Sequence, residues 1–218
     1  MNVAVLGTGV VGRTLATRLV ALGHAVTMGS RRAGNEKAAA WVASAGDLAS
    51  EGSFADAASA AALVINATAG AGSIEALTAA GARNLAAKVL VDVANPLDFS
   101  HGMPPTLTVC NGDSLGEQIQ RAFPEARVVK SLNTVNCDVM VDPGIVPGSH
   151  TMFVAGNDGG AKSEVRGLLE SFGWPPGDVV DLGDITASRG LEMYLPLWLR
   201  FWGATGTGHL NVKLVTGP

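Results

Sequence analysis

Cysteine is nearly absent from this chain, with only Cys110 and Cys137 among 218 residues. Two isolated thiols make neither a disulfide framework nor a metal-ligand spacing, and both are expected as reduced thiols in or near the core. Tyrosine is scarcer still. Tyr194 stands alone and Trp198 lies four residues on, which excludes a Tyr-x-x-x-Lys catalytic pair. Charged residues make up 16% of the chain, the net charge is −4 and no basic patch is present, which excludes nucleic acid as a partner. No apolar run approaches the roughly 18 residues that span a bilayer, so no membrane partner is expected. Met1 leads directly into strand-like residues, which predicts no signal peptide and a cytoplasmic location.

What is abundant is apolar side chain (47%) and glycine (28 residues), in a chain long enough for one large domain, or one with a small companion. The glycines have informative places. The apolar run Asn2 to Leu6 leads straight into Gly7-Thr8-Gly9-Val10-Val11-Gly12, a G-x-G-x-x-G that opens a helix with Val11, Leu15, Leu19 and Leu22 on one face. Gly7 permits a tight turn, Gly9 lets the backbone approach a pyrophosphate, and Gly12 lets the helix pack close to the strand. The helix N-terminus then points its N–H groups at the phosphates. Gly23-His24 turns the chain into a second strand, and its end carries Gly29-Ser30-Arg31-Arg32. An acid at that place would bind both ribose hydroxyls. A hydroxyl and two guanidinium forks suit a 2′-phosphate instead, so the dinucleotide expected is NADP.

Strand and helix alternate onward. Helices are expected over Asn35 to Ala45, Phe54 to Ala62 and Ser73 to Ala80, and strands over Leu63 to Ala67 and Lys88 to Val93. The short, almost wholly apolar strands predict an α/β Rossmann fold, a doubly wound and mainly parallel sheet. A loop with proline and glycine follows, and then a capping box, Ser114-Leu115-Gly116-Glu117, opens a helix that runs to Phe123. Strands are expected at Arg127 to Leu132, Met152 to Gly156 and Val179 to Leu182, and an amphipathic helix over Gly159 to Phe172. Ile185 to Trp202 has helical spacing that Pro196 should break or kink. The expected division is an NADP-binding domain over 1–141 and a small C-terminal α/β portion over 142–218 for substrate and dimerisation.

Ligands of an open parallel sheet bind at the carboxyl ends of its strands. Three polar turns stand there: Asn66-Ala67-Thr68-Ala69-Gly70, Ala94-Asn95-Pro96 and Asn133-Thr134-Val135-Asn136. Ala67, Thr68, Ala94, Asn95, Pro96 and Asn133 are expected at the cofactor, and Asn136 at the substrate. His24 lies at the wrong sheet edge, while His101 and His150 read as solvated residues. Lys130 sits within a strand, which argues against a base and leaves it a supporting role. No metal set and no acid or base emerges, so no catalytic residue is assigned. Hydride transfer between two bound organic cofactors needs none. Leu191, Tyr194, Leu195, Trp198, Phe201 and Trp202 recur at helical spacing, as core, as dimer interface, or as a wall for a flat ring. Thr205, Gly206 and Thr207 would then offer donors beside Trp198 and Trp202 to a small-molecule acceptor.

Taken in order, these segments resemble the NADP-dependent coenzyme F420 (8-hydroxy-5-deazaflavin) reductases. The matching pieces are residues 7–12, 29–32, Val91-Asp92-Val93-Ala94-Asn95-Pro96-Leu97, Val128 to Thr134, Phe153 to Asp158 and Ser188-Arg189-Gly190-Leu191-Glu192. The resemblance implies a homodimer, a deazaflavin facing the nicotinamide, and binding of the 2′-phosphate by Thr8, Ser30, Arg31 and Lys37. The nucleotide domain of the six-transmembrane ferric reductases is also similar, in its Asn-Thr strand end. One departure concerns the loop after the Leu63 strand. The family commonly places a proline with a bulky neighbour there, against Asn66 to Gly70 in this chain. Other acceptors therefore stay open (a flavin, an imine, a ferric chelate), as does a non-catalytic NADP-sensing role.

Overall fold

In the computed structural model, which describes residues 1–217, one sheet organises the chain. Its first half comprises β1 (Asn2–Leu6), α1 (Val10–Ala21), β2 (Ala25–Ser30), α2 (Glu36–Ala45), β3 (Ala49–Ser53), α3 (Phe54–Ala60) and β4 (Leu63–Asn66). Then come α4 (Ser73–Ala80), α5 (Ala82–Leu85), β5 (Val89–Asp92) and a two-strand hairpin, β6 (Leu97–Asp98) and β7 (Thr106–Leu107). The rest is α6 (Leu115–Ala122), β8 (Arg127–Ser131), α7 (Cys137–Val141), β9 (Met152–Gly156), α8 (Gly159–Phe172), β10 (Val179–Asp181) and α9 (Ser188–Thr205). The eight sheet strands run β10-β9-β8-β5-β4-β1-β2-β3, parallel except where β9 opposes β8. The fold is therefore the α/β Rossmann arrangement expected, and β9 and β10 extend the same sheet.

The alternation of side chains along each strand divides the core into two layers. Val3, Val5, Val89 and Val91 pack under α1, α2 and α8, with Trp41, Phe172 and Trp174. Ala4, Leu6, Val64 and Leu90 face the other way, against Phe54, Leu77, Ile119 and Phe123. Local chemistry sets the helix ends. Asn35 accepts from the N–H groups of Lys37 (3.1 Å) and Ala38 (3.2 Å), and Ser53 forms a reciprocal capping box with Asp56. Gly173, at φ 106°, closes α8 in the left-handed conformation.

Several expectations are corrected. β3 lacked any apolar alternation because it is an edge strand with only Gly52 buried, paired to β2 by its backbone and by a Ser50–Thr27 hydroxyl contact of 2.9 Å. Pro196 does not break α9, which begins at Ser188 after a short 3₁₀ turn and continues to Thr205. Burial of Leu191, Leu195 and Trp198 outweighs a proline cost of about 3 kcal/mol. Cys110 is exposed rather than near the core, and only Cys137 is buried. His150 is buried rather than solvated: it contacts the Pro143 carbonyl through Nε2 (3.0 Å) and accepts at Nδ1 from Asn211 (2.9 Å), with its ring on the edge of Trp174. The capping box at α6 is half formed. Ser114 Oγ accepts from Glu117 N–H (3.2 Å), but the Glu117 carboxylate turns to Ser114 Oγ and Arg189, and Arg189 holds its pKa below the usual value.

Candidate cofactor and substrate site

The glycine turn has the geometry its spacing predicts. Gly7 adopts φ +123°, and a Cβ there would collide with the Ala67 carbonyl. A Cβ on Gly12 would collide with the Gly7 carbonyl, so only glycine lets α1 come this close to β1. Gly12→Ala is expected to cost about 1–3 kcal/mol by overpacking, measured by urea titration, with weaker NADPH binding as the loop shifts. At Gly9 the space is open: a Cβ would meet nothing within 4 Å, and no side chain caps α1. Its first N–H groups are thus free for an anion, which is the shape a pyrophosphate needs. Val10 and Val11 begin the helix at this mouth, and Arg13 ties the loop by donating to the Thr8 carbonyl (2.8 Å).

Gly7, Thr8, Gly9, Ser30, Arg31 and Arg32 line one cleft of about 840 Å³, with Ala67 and Thr68 across from them. Ser30 is buried and donates to the Arg32 carbonyl at 2.6 Å, which shapes the turn that carries the arginines. Arg31 and Arg32 are exposed, and neither guanidinium donates to a protein acceptor among the described residues. Lys37 is placed elsewhere, in a groove between α1 and α2 with Arg13 and Trp41.

The loops after β4, β5 and β8 meet at the same sheet edge. A Cβ on Gly70 would collide with the Asn95 carbonyl, so the first two loops lie in direct contact. Asn95 donates to the Asn133 carbonyl (2.8 Å), and Asn133 returns a bond to Asn95 Oδ1 (2.9 Å) and reaches the Leu191 carbonyl on α9 (3.1 Å). Asn133 Oδ1 is buried without a protein partner among the described residues. Ala94 and Pro96 flank this pair. Asn136 caps α7 through the N–H of Asp138 (2.9 Å). It also stands 3.0 Å from where a Cβ on Gly208 would lie, with the Trp198 ring at 3.6 Å from the same point. The turn Thr205-Gly206-Thr207 thus leads into the neighbourhood of Asn136 and Trp198. The two tryptophans differ. Trp198 is 7% exposed and packs as core, whereas Trp202 is 43% exposed and lies 6.1 Å away at a 34° tilt.

Sequence reasoning missed a buried polar row beneath this edge. Asn66, Asp92 and Lys130 are register neighbours on β4, β5 and β8. Lys130 Nζ lies 2.8 Å from both Asp92 and Glu192, all within 1% exposure. Burial alone would lower the Lys130 pKa, but the two carboxylates hold it above the ordinary value. Glu192 also accepts from the N–H groups of Leu115 (2.8 Å) and Gly116 (3.0 Å), the start of α6. The available signal was a lysine and an aspartate inside otherwise apolar parallel strands.

A Rossmann sheet with an open phosphate cradle and a basic turn after β2 defines an NADP-dependent oxidoreductase. Comparison agrees. The family described as NADP oxidoreductase, coenzyme F420-dependent, matches residues 2–96. A solved structure of a proposed F420-dependent NADP-reductase from Arthrobacter sp. FB24 is 58% identical, covering 99% of this chain and 100% of that one, with a TM-score of 0.93. The chain belongs to the coenzyme F420-dependent NADP oxidoreductase family. Metalloreductase STEAP3 of Rattus norvegicus is 28% identical over 201 residues, 90% of this chain but only 38% of the relative's length. The imine reductase of Streptomyces aurantiacus, 21% identical with a TM-score of 0.62, covers 94% of this chain and 62% of that one, and it shares the fold. No helix among the described residues is long and apolar enough to cross a membrane.

Proposed function

We propose that the protein moves a hydride between NADP(H) and an 8-hydroxy-5-deazaflavin, coenzyme F420. In the reducing direction NADPH, oxidised deazaflavin and one proton give NADP⁺ and the reduced deazaflavin. NADPH supplies the hydride, and the chain holds donor and acceptor in contact at about 3–3.5 Å. The 2′-phosphate lies against Arg31, Arg32 and Thr8, beside the Ser30 turn. The pyrophosphate lies on residues 7–12, and the nicotinamide half lies over Ala67, Thr68, Ala94, Asn95, Pro96 and Asn133. The acceptor stacks toward Asn136, Trp198 and Trp202, with Thr205, Gly206 and Thr207 as donors. Residues 142–218 serve the acceptor and a homodimer contact.

One observation carries the reading that the chain works by positioning. The ionisable groups beneath the strand ends, Asp92, Lys130 and Glu192, are buried and ion-paired through Lys130, which supports a role in holding the strand ends in position. The likeness over the whole chain to the Arthrobacter reductase supports the deazaflavin as acceptor. Purified protein with NADPH and oxidised F420 under anaerobic conditions is expected to bleach the deazaflavin's visible absorbance with turnover. Bleaching no faster than without enzyme overturns the acceptor. A second reading, reduction of a ferric chelate, draws on the likeness to the metalloreductase, and NADPH oxidation with a ferric chelate in place of F420 separates the two.

A further inference from the structure

The most deeply buried charges of the molecule lie under the cleft rather than in it. Lys130 Nζ donates to Asp92 Oδ2 and to the Ala94 carbonyl, and it pairs with Glu192 Oε1 at 2.8 Å. Asp92 Oδ1 accepts from Ala94 N–H (3.2 Å) and from Asn66 Nδ2 (2.9 Å). Ala94 is therefore held at both its N–H and its carbonyl by one ion pair. The next residue, Asn95, is half of the Asn95–Asn133 pair. On the other side, Asn66 Oδ1 accepts from Thr68 Oγ1 (2.7 Å), and Ser73 bonds both Asn66 (3.1 Å) and Thr68 (2.9 Å). Through Glu192 the ammonium also grips α9, whose Leu191 carbonyl receives Asn133. Three strand ends and the helix bearing Trp198 and Trp202 are thus tied to a single nitrogen.

The charges do not balance within the cluster. One ammonium faces two carboxylates, and the surplus negative charge meets the N–H groups of Leu115 and Gly116 at the positive end of α6. Burying such ions costs several kcal/mol each, and apolar residues of equal volume would hold strands together at least as well. The location suggests what the arrangement secures. The basic turn after β2 takes the adenosine end and the glycine turn takes the pyrophosphate. The remaining half of the dinucleotide must extend over β4, β5 and β8, the strands this cluster ties together.

We propose that Lys130 is a positioning residue for the nicotinamide half of NADP(H), acting through Ala94 and Glu192 on the Asn95–Asn133 platform. This rests on the NADP part of the proposed function and not on the identity of the acceptor. The test compares two ligands by calorimetry: NADPH, and adenosine 2′,5′-bisphosphate, which lacks the nicotinamide half. Two variants are used, Lys130→Met and its uncharged counterpart Lys130→Met with Asp92→Asn and Glu192→Gln. In the second, the Asp92→Asn oxygen can still accept from Ala94, and the Glu192→Gln oxygen from one of the Leu115 and Gly116 N–H groups. In whichever variant folds, NADPH is expected to bind about tenfold more weakly or worse, and the bisphosphate within about twofold of wild type. Equal weakening of both ligands, or of neither, overturns the role, and so does failure of both variants to fold, which would make the cluster a stability element alone. Wild-type protein that bound neither ligand would sink the NADP reading and this inference with it. Absence of F420 reduction would leave these affinities to decide the matter.

Discussion

Replacing Arg31 and Arg32 together by alanine is expected to weaken NADPH binding by about a hundredfold or more, while NADH binding changes by no more than about threefold. The two guanidinium groups stand at the mouth of the cleft, exposed and unpaired among the described residues, on a turn shaped by the buried Ser30 hydroxyl. Groups with no structural bonds to lose leave the fold intact when removed, so the effect should fall on the ligand alone. Only NADPH carries the phosphate dianion that two such forks address. Fluorescence titration with each nucleotide measures the ratio. Equal loss for both would mean that the arginines shape the turn rather than read the phosphate.

The second large effect is on stability. Lys130→Met leaves Asp92 and Glu192 facing each other without a cation, at full burial. Breaking a buried pair in this way costs about 3–5 kcal/mol. In a chain of this size that lowers Tm by roughly 10 °C, readable by calorimetry. The uncharged triple variant should recover most of the loss, because it removes the stranded carboxylates along with the ammonium. The Lys130 pKa is raised in the folded state, so its contribution is complete below the unfolded value and is lost only as pH rises through the folded one. In the variant the carboxylates decide the pH dependence: burial already raises the Glu192 pKa, loss of the ammonium raises it further, and the destabilisation should shrink as pH falls and the carboxyl takes up a proton. A Tm of Lys130→Met within a degree or two of wild type would show that the cluster is not held as charges.

Legibility in the sequence followed the strength of the periodic signal. β1, α1 and the glycine turn were readable because an apolar run, three spaced glycines and a helical stripe coincide within the first 22 residues. β3 was not, since an edge strand with one buried residue carries no hydrophobic pattern. Pro196 misled because local propensity was weighed without the packing of Leu195 and Trp198 that overrides it. Likewise His150 looked like a loop histidine until the chain near Asn211 came back to cover it. At the site, the three polar turns were visible one by one, but not the pairing of Asn95 with Asn133. Nor could Lys130 be joined to Glu192 across 62 positions, since long-range partners leave no mark on local spacing.

The most direct measurement follows the hydride itself. NADPH carrying deuterium at the transferring C4 position is mixed with enzyme and oxidised deazaflavin in ordinary water, and the products are examined by NMR. Direct ring-to-ring transfer places the deuterium on C5 of the reduced deazaflavin with none lost to solvent. Label appearing in water, or NADPH left unconsumed, would contradict it.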